Sequence, residues 1–239
     1  MILYVNGDSH SAGAKAVNSY SFASDDPLYY GLGRRPHPDN ERASYGCDIA
    51  NRMYAILHCD AESASSNARI LRTTQEYLKN ENPDFLIIGW STWEREEWLH
   101  EGQYYQVTAS GTDTVPAGLK ERYMSWVIEV NDPDRINKNI VDAHEQIVNL
   151  HTDLTDRNIP HIFFNTYTSF QNVKNLKHLG VEEIEWNGCY VDPYNDQGTY
   201  YSWLKNKNFN SVDTDYHYAA DAHRAWAEYL YNDFILKRG

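Results

Sequence analysis

Three short apolar runs, each stopped by glycine or by a polar pair, constrain this chain most. Ile2 to Val5 ends at Asn6-Gly7, Phe85 to Ile88 ends at Gly89, and the stretch "IPHIFFNT" ends on polar residues. Runs this short, without polar alternation, fit strands covered on both faces, as in parallel sheets. Segments of helical period lie between them. The clearest is "DPDRINKNIVDAHEQIVNLHTDLTDRN", with an Asp cap, a proline in the first turn, and Ile136, Ile140, Ile147, Leu150 and Leu154 on one stripe. A helix is predicted over about 43–58 from the spacing of Ile49, Met53, Ile56 and Leu57. Another starts at Ser66 as its cap, and a last one runs from about 219 through Ala222, Trp226, Tyr229, Leu230 and Phe234.

Strand and helix thus alternate along the chain. This predicts an α/β fold, a three-layer α/β/α sandwich with a central parallel sheet, in a single domain over 1–239. Two stretches, 92–131 and 168–211, are polar and aromatic-rich and read as insertions. Within the first, "WEREEWLH" has the acid–base spacing of a solvated helix face.

With 41% hydrophobic and 23% charged residues, 239 residues suffice for a substantial core. A net charge of −13 argues against nucleic acid or an anionic membrane as partner. No run approaches the roughly 18 apolar residues of a membrane span. The first strand follows Met1 with no basic lead or cleavage site, so no signal peptide is read. Cys47, Cys59 and Cys189 are odd in number and lack metal-site spacing, which suits reduced thiols and a cytoplasmic location. The 19 tyrosines and seven tryptophans read first as packing, and second as an aromatic platform for a sugar or another flat ligand.

Ligands of parallel sheets bind at the carboxyl ends of the strands, so "GDSHS" after the first strand and "GWST" after Ile88 share one rim. Ser9 in its glycine-flanked turn is either a nucleophile or a turn cap. A nucleophile needs a base and donors for the developing oxyanion. The far end of the chain offers the base: "DTDYHYAADAHRAWAEYL" sets His217 beside Asp213 and Asp215, just before the last helix. A neighbouring carboxylate fixes the imidazole tautomer and stabilises the imidazolium. His223, inside that helix, reads as structural.

Together the two ends resemble the SGNH hydrolases, the GDSL-type esterases and lipases. Gly7, Asp8, Ser9 and Gly13 match their "GDSxxxG" block, and His217 to Leu230 match the terminal block that carries the catalytic histidine. The resemblance implies a flavodoxin-like sandwich that cleaves esters or acyl groups, often from carbohydrates, with no cofactor and no metal. It assigns Ser9 as nucleophile and His217 as base, oriented by Asp215 or Asp213. It also implies oxyanion donors from two middle blocks. Ala64 stands at the position of the usual glycine, and with an ordinary φ its N–H would serve equally. Gly89 matches the third block, where Ser91 replaces the usual asparagine, with Asn67 as a further candidate. His10, Trp90 and Trp93 are the candidate pocket residues. The compact chain is similar to phage-encoded members of the family, which would make it particle-associated.

Two other readings compete. A strand followed by Gly-Asp-x-His also opens the calcineurin-like metallophosphoesterases, with Asp8 and His10 as ligands, but the later "GDxxD", "GNH" and "GHxH" patterns are missing. The altered middle blocks also fit a fold with weakened catalysis that serves as a glycan-binding or structural module.

Overall fold

The computed structural model describes residues 1–18, 37–109, 115–212 and 216–238. Strand β1 (Ile2–Asn6) leads into a tight turn and, later, two short helices, α1 (Pro38–Arg42) and α2 (Tyr45–Arg52). Strand β2 (Ile56–Cys59) and helix α3 (Asn67–Leu78) follow, then β3 (Phe85–Trp90). A hairpin, β4 (Glu96–His100) and β5 (Gln103–Val107), precedes α4 (Lys120–Glu129) and the long α5 (Pro133–Asp156). The chain ends with β6 (His161–Asn165), α6 (Tyr200–Asn206), the two-residue strands β7 (Ser211–Val212) and β8 (His217–Tyr218), and α7 (Ala220–Leu230).

The main sheet is parallel, in the order β2-β1-β3-β6. That is the start of the 2-1-3-4-5 order of flavodoxin-like sheets. Tyr190 pairs in parallel with Phe163 beyond β6 and so stands where a fifth strand begins. The apolar runs explain the layering, because side chains along a strand point alternately to opposite faces. Tyr4, Leu86, Ile88 and Phe163 pack against Ile70 of α3 and Ile140, Ile147, Leu150 and Leu154 of α5. Leu3, Val5, Phe85, Ile87, Ile162 and Phe164 pack against Tyr45 and Ile49 of α2 and Ala222, Trp226 and Leu230 of α7. One sheet thus has two cores, with helices on both faces.

Two expectations need correction. The helix predicted over 43–58 ends at Arg52, and Ile56 and Leu57 belong to β2 instead. The chain leaves the helix through Tyr54, whose φ is +52°, and Ile56 donates its N–H to the Met1 carbonyl at 2.9 Å. Apolar residues at 49, 53, 56 and 57 satisfy a helical stripe and a helix–strand junction alike, and pairing with β1 decides between them.

The expected solvated helix in "WEREEWLH" is strand β4. Its hairpin turns through Glu101 and Gly102, both with positive φ, and alternation buries Trp98 while leaving Leu99 exposed. Its acids are paired: Glu97 accepts from Arg72 at 2.7 Å, and Glu96 from Arg135 at 2.6 Å. The stretch 168–211 contributes to both cores. Phe170, Val173, Leu176, Trp186 and Tyr190 complete one core, while Val191, Tyr200 and Leu204 complete the other. By contrast, the hairpin and α4 gather a small cluster of their own around Trp98, Tyr123 and Trp126.

Candidate active site

The site is built where β1 stops. Asn6 donates to the Ile70 carbonyl and the Thr74 hydroxyl of α3, and accepts the Gly7 N–H at 2.8 Å. That fixes the strand end. A Cβ on Gly7 would stand 2.1 Å from Ser11 Oγ and 2.8 Å from the Gly89 carbonyl, so glycine is required there by space alone. Gly89 has the same role on β3, since a Cβ would meet Ser11 Oγ at 2.5 Å and the Phe164 ring at 2.7 Å.

The next residues coil into a tight turn. Ala12 donates to the Asp8 carbonyl at 3.0 Å and Ala14 to the Ser9 carbonyl at 2.9 Å. Asp8 Oδ1 accepts the His10 N–H at 3.0 Å, a side chain closing its own turn. Asp8 Oδ2 accepts from Ser91 Oγ at 3.1 Å and from Arg95 Nη1 at 3.3 Å. Both Asp8 oxygens are therefore occupied in bracing the turn. Burial pushes the Asp8 carboxyl above its usual range, and Arg95 opposes that shift.

His217 opens β8, three positions before α7, and its ring stacks on His10 at 4.8 Å between centroids and 23° between planes. The two rings are 207 positions apart in sequence. The Ala220 N–H donates to the Ala16 carbonyl at 3.0 Å and ties the start of α7 to the end of the turn. Ser9 is buried within this turn. Burial, then His217, holds the His10 imidazole well below its usual pKa, so His10 is neutral. His223 on α7 is also neutral, pushed down to about 3 by burial and then by His217. Asp213 and Asp215, the candidates for orienting His217, lie outside the described residues.

The two middle blocks meet the turn from either side. Glu62 donates its N–H to the Gly7 carbonyl at 3.2 Å, which lays the Ala64 loop against the turn that carries Ser9. Ala64 has φ +63°, so the ordinary φ expected of it is corrected. The loop keeps the left-handed shape that favours glycine while carrying a side chain. Asn67, the first residue of α3, grips Ser91 reciprocally: Nδ2 donates to the Ser91 carbonyl at 3.1 Å and Oδ1 accepts its N–H at 2.8 Å. Ser91 Oγ accepts from Arg95 Nη1 at 2.8 Å while donating to Asp8.

Trp90 and Trp93 are both buried in the core on the α5 side, Trp90 edge-on to Phe163 and Trp93 stacked on Phe170 at 4.5 Å. The aromatic residues beside His10 are instead Tyr167 and Tyr200, each with a ring centroid at 5.5 Å. Tyr167 stacks on Tyr201 at 4.7 Å and meets Tyr216 edge-on at 6.0 Å. Burial raises the Tyr167 hydroxyl's pKa, so the phenol stays protonated. Sequence reasoning missed both Tyr167 and Arg95. Tyr167 follows β6, and the strand-end rule that pointed to "GDSHS" and "GWST" applies equally to "NTYTS". Arg95 had no such signal, being one charge among several in "WEREEW".

Buried polar atoms mark the same rim. His10 Nδ1, Trp90 Nε1, Thr92 Oγ1, Asn165 Nδ2 and the hydroxyls of Thr166, Tyr167 and Thr168 have no hydrogen-bond partner among the described residues. All of them follow, or end, β1, β3 or β6. Unpaired buried polar groups are rare in native proteins, and a concentration at one sheet end is a functional signal.

No family model matches the sequence, and no curated protein does. Among solved structures, the chain is similar to a family two carbohydrate esterase from Clostridium thermocellum in complex with cellohexaose, at 13% identity over 100% of this chain and 64% of that one, with a TM-score of 0.48. It is similar to the acetyl xylan esterase Est2A from the rumen bacterium Butyrivibrio proteoclasticus at 14% identity, over 97% of this chain and 64% of that one, with a TM-score of 0.42. A third, the acetyl xylan esterase AlAXEase, shares 10% identity over 98% of this chain and 99% of its own, with a TM-score of 0.44. The chain thus spans a little under two thirds of the length of the first two.

Proposed function

We propose that this chain is a serine hydrolase of the SGNH type that removes an acyl group from a carbohydrate ester, with one catalytic unit over 1–239. The observation that carries the reading is the stacking of His217 on His10, which sets a base from the far end of the chain against the turn holding Ser9. Ser9 Oγ attacks the ester carbonyl as His217 takes its proton. The C–O bond then breaks, and the sugar hydroxyl leaves with that proton. Water, deprotonated by the same imidazole, frees the acid from Ser9. Asp215 or Asp213 orients His217. The N–H groups of Ser9 and Ala64 hold the oxyanion. The partly exposed faces of Tyr167 and Tyr201, with Tyr216 at their edge, suit the apolar face of a sugar ring.

The test is hydrolysis of p-nitrophenyl acetate and of an acetylated oligosaccharide by the native chain and by Ser9→Ala. Ser9→Ala is expected to lose at least about a thousandfold in kcat/KM on both. Equal background rates from the two proteins would exclude the esterase. One observation favours the glycan-binding alternative: Ser91 Oγ donates to Asp8, so the third block offers its hydroxyl to the turn rather than to substrate. Retained affinity for the oligosaccharide without turnover is the outcome that would select it.

A further inference from the structure

At the opposite end of β6 from Asn165, two histidines and a cysteine converge. His151 comes from α5, His161 is the first residue of β6, and Cys189 follows a tight turn. One ligand atom from each lies within 4.8 Å of the other two. We propose that these three side chains bind a thiophilic divalent ion of the zinc class, at a site separate from the esterase rim and independent of the esterase reading.

The geometry around each ligand supports this. His161 Nδ1 is 2.8 Å from the Ile159 carbonyl, which can only accept, so Nδ1 carries the proton and Nε2 presents its lone pair. A backbone carbonyl that fixes the far nitrogen of an imidazole is the usual support of a metal-bound histidine. That Nε2 lies 2.8 Å from His151 Nδ1. Cys189 is aimed by the turn before it: Asn187 and Gly188 have φ of +50° and +74°, and the Cys189 N–H closes onto the Trp186 carbonyl at 2.8 Å. The Phe163 N–H donates to the Cys189 carbonyl at 2.8 Å, and the Val191 N–H donates to the Phe163 carbonyl at 2.9 Å, so both sides of Cys189 are fastened to β6. His161 is buried, while His151 and Cys189 are half-buried, which leaves a way in from solvent.

The donor set selects the ion. Two imidazoles and a thiolate suit zinc and its soft neighbours, whereas magnesium and calcium require oxygen ligands. In a tetrahedral zinc site, metal–ligand bonds of about 2.0–2.3 Å place ligand atoms roughly 3.3–3.8 Å apart. The two imidazole nitrogens, 2.8 Å apart, would open by about half an ångström, and the Cys189 sulfur, within 4.8 Å of both, would move in to complete the set. Three protein ligands leave a fourth position for water. On binding, the Cys189 thiol loses its proton to solvent. The Nδ1 proton of His151 moves to Nε2 through solvent, freeing Nδ1. One proton is therefore released per ion. The bound ion would tie α5, the edge strand β6 and the 186–191 segment together.

The test is a cobalt(II) titration of the full chain, followed by competition with zinc. One equivalent should bind and produce a thiolate-to-cobalt charge-transfer band in the near ultraviolet, with visible bands of tetrahedral intensity. Cys189→Ser should lose the thiolate band and bind more than about 100-fold more weakly. The Cys47→Ser/Cys59→Ser double variant should retain both. His151→Gln, at a half-buried position on a long helix, keeps the test decisive if Cys189→Ser folds poorly, and it too should weaken binding by more than about 100-fold. A missing thiolate band in the native chain would overturn the proposal. Undiminished affinity in Cys189→Ser or His151→Gln would overturn it equally.

Discussion

The turns after β1 and β3 leave the same rim of the same sheet, yet they are chemically opposite. After β3, the N–H, carbonyl and hydroxyl of Ser91 are all engaged by Asn67, Asp8 and Arg95. After β1, Asp8 joins that knot and also holds the His10 N–H, but among the described residues the side chains of Ser9 and His10 take no part in it. Ser9 lies within the turn, and the His10 ring stacks on His217 with a buried Nδ1 that has no partner among the described residues. One turn is a fastening, and the other carries Ser9 and His10 on a rigid base. Ser91 holds Asp8, and Asp8 holds the turn that carries Ser9.

Breaking the fastened side should have the largest effect on stability. Arg95→Leu leaves the buried Asp8 carboxylate facing only neutral donors, and breaking a buried ion pair costs about 3–5 kcal/mol. Urea unfolding of the variant should show a loss near the lower end of that range, because Asp8 can take up a proton instead. Asp8→Asn combined with Arg95→Leu should recover part of the loss. If Arg95→Leu unfolds at the native urea midpoint, the network is not what braces the turn.

The reactive side can be sharpened by pH. His223 lies behind His217 with a folded pKa of about 3, against about 6.5 in an unfolded chain. Its contribution to stability is complete above about pH 6.5. Below that value the unfolded chain binds a proton that the folded ring refuses, and stability is lost at up to about 1.4 kcal/mol per pH unit as pH falls toward 3. His10, lowered for the same reason, adds to the slope. Asp8 has the opposite sign: its raised folded pKa returns some stability on acidification. His223→Gln should therefore flatten the fall in stability between about pH 6.5 and pH 5 by close to one proton, measured as urea midpoints across that range. Parallel curves for the two proteins would show that His223 is not buried neutral.

Much of the fold was legible because the sheet is buried on both faces, which writes each main strand into the sequence as an unbroken apolar run. β2 escaped because it is an edge strand with Ile56 exposed, leaving no such run to read. β4 escaped because its acids sit at helical spacing while their partners, Arg72 and Arg135, lie elsewhere in the chain. At the candidate site, the glycine-bounded turn of Ser9 and the stretch of His217 before the last helix were readable, and the structure brings the His217 ring against His10. Arg95 and the knot around Ser91 could not be read in advance. They depend on which side chains face each other across three separate strand ends, and nothing local encodes that.

Two smaller changes test the proposed oxyanion donors, one on each side of the turn. Ser91→Ala removes a buried hydroxyl from Asp8 and should destabilise the fold by about 1–2 kcal/mol. If Ser91 is a fastening, kcat on p-nitrophenyl acetate should change less than about tenfold, whereas a lost oxyanion donor typically costs about a hundred- to a thousandfold. Ala64→Gly should give the smallest effect, and one of the opposite sign. Ala64 holds φ +63°, where a Cβ is strained by about 1 kcal/mol, so glycine relieves the folded state while making the unfolded chain more flexible. The balance should be a gain of up to about 1 kcal/mol, with the N–H left in place and turnover within about twofold of native. A destabilised Ala64→Gly would mean that the left-handed loop carries no strain. A large fall in kcat would instead show that the alanine methyl, not only its N–H, faces the reacting ester.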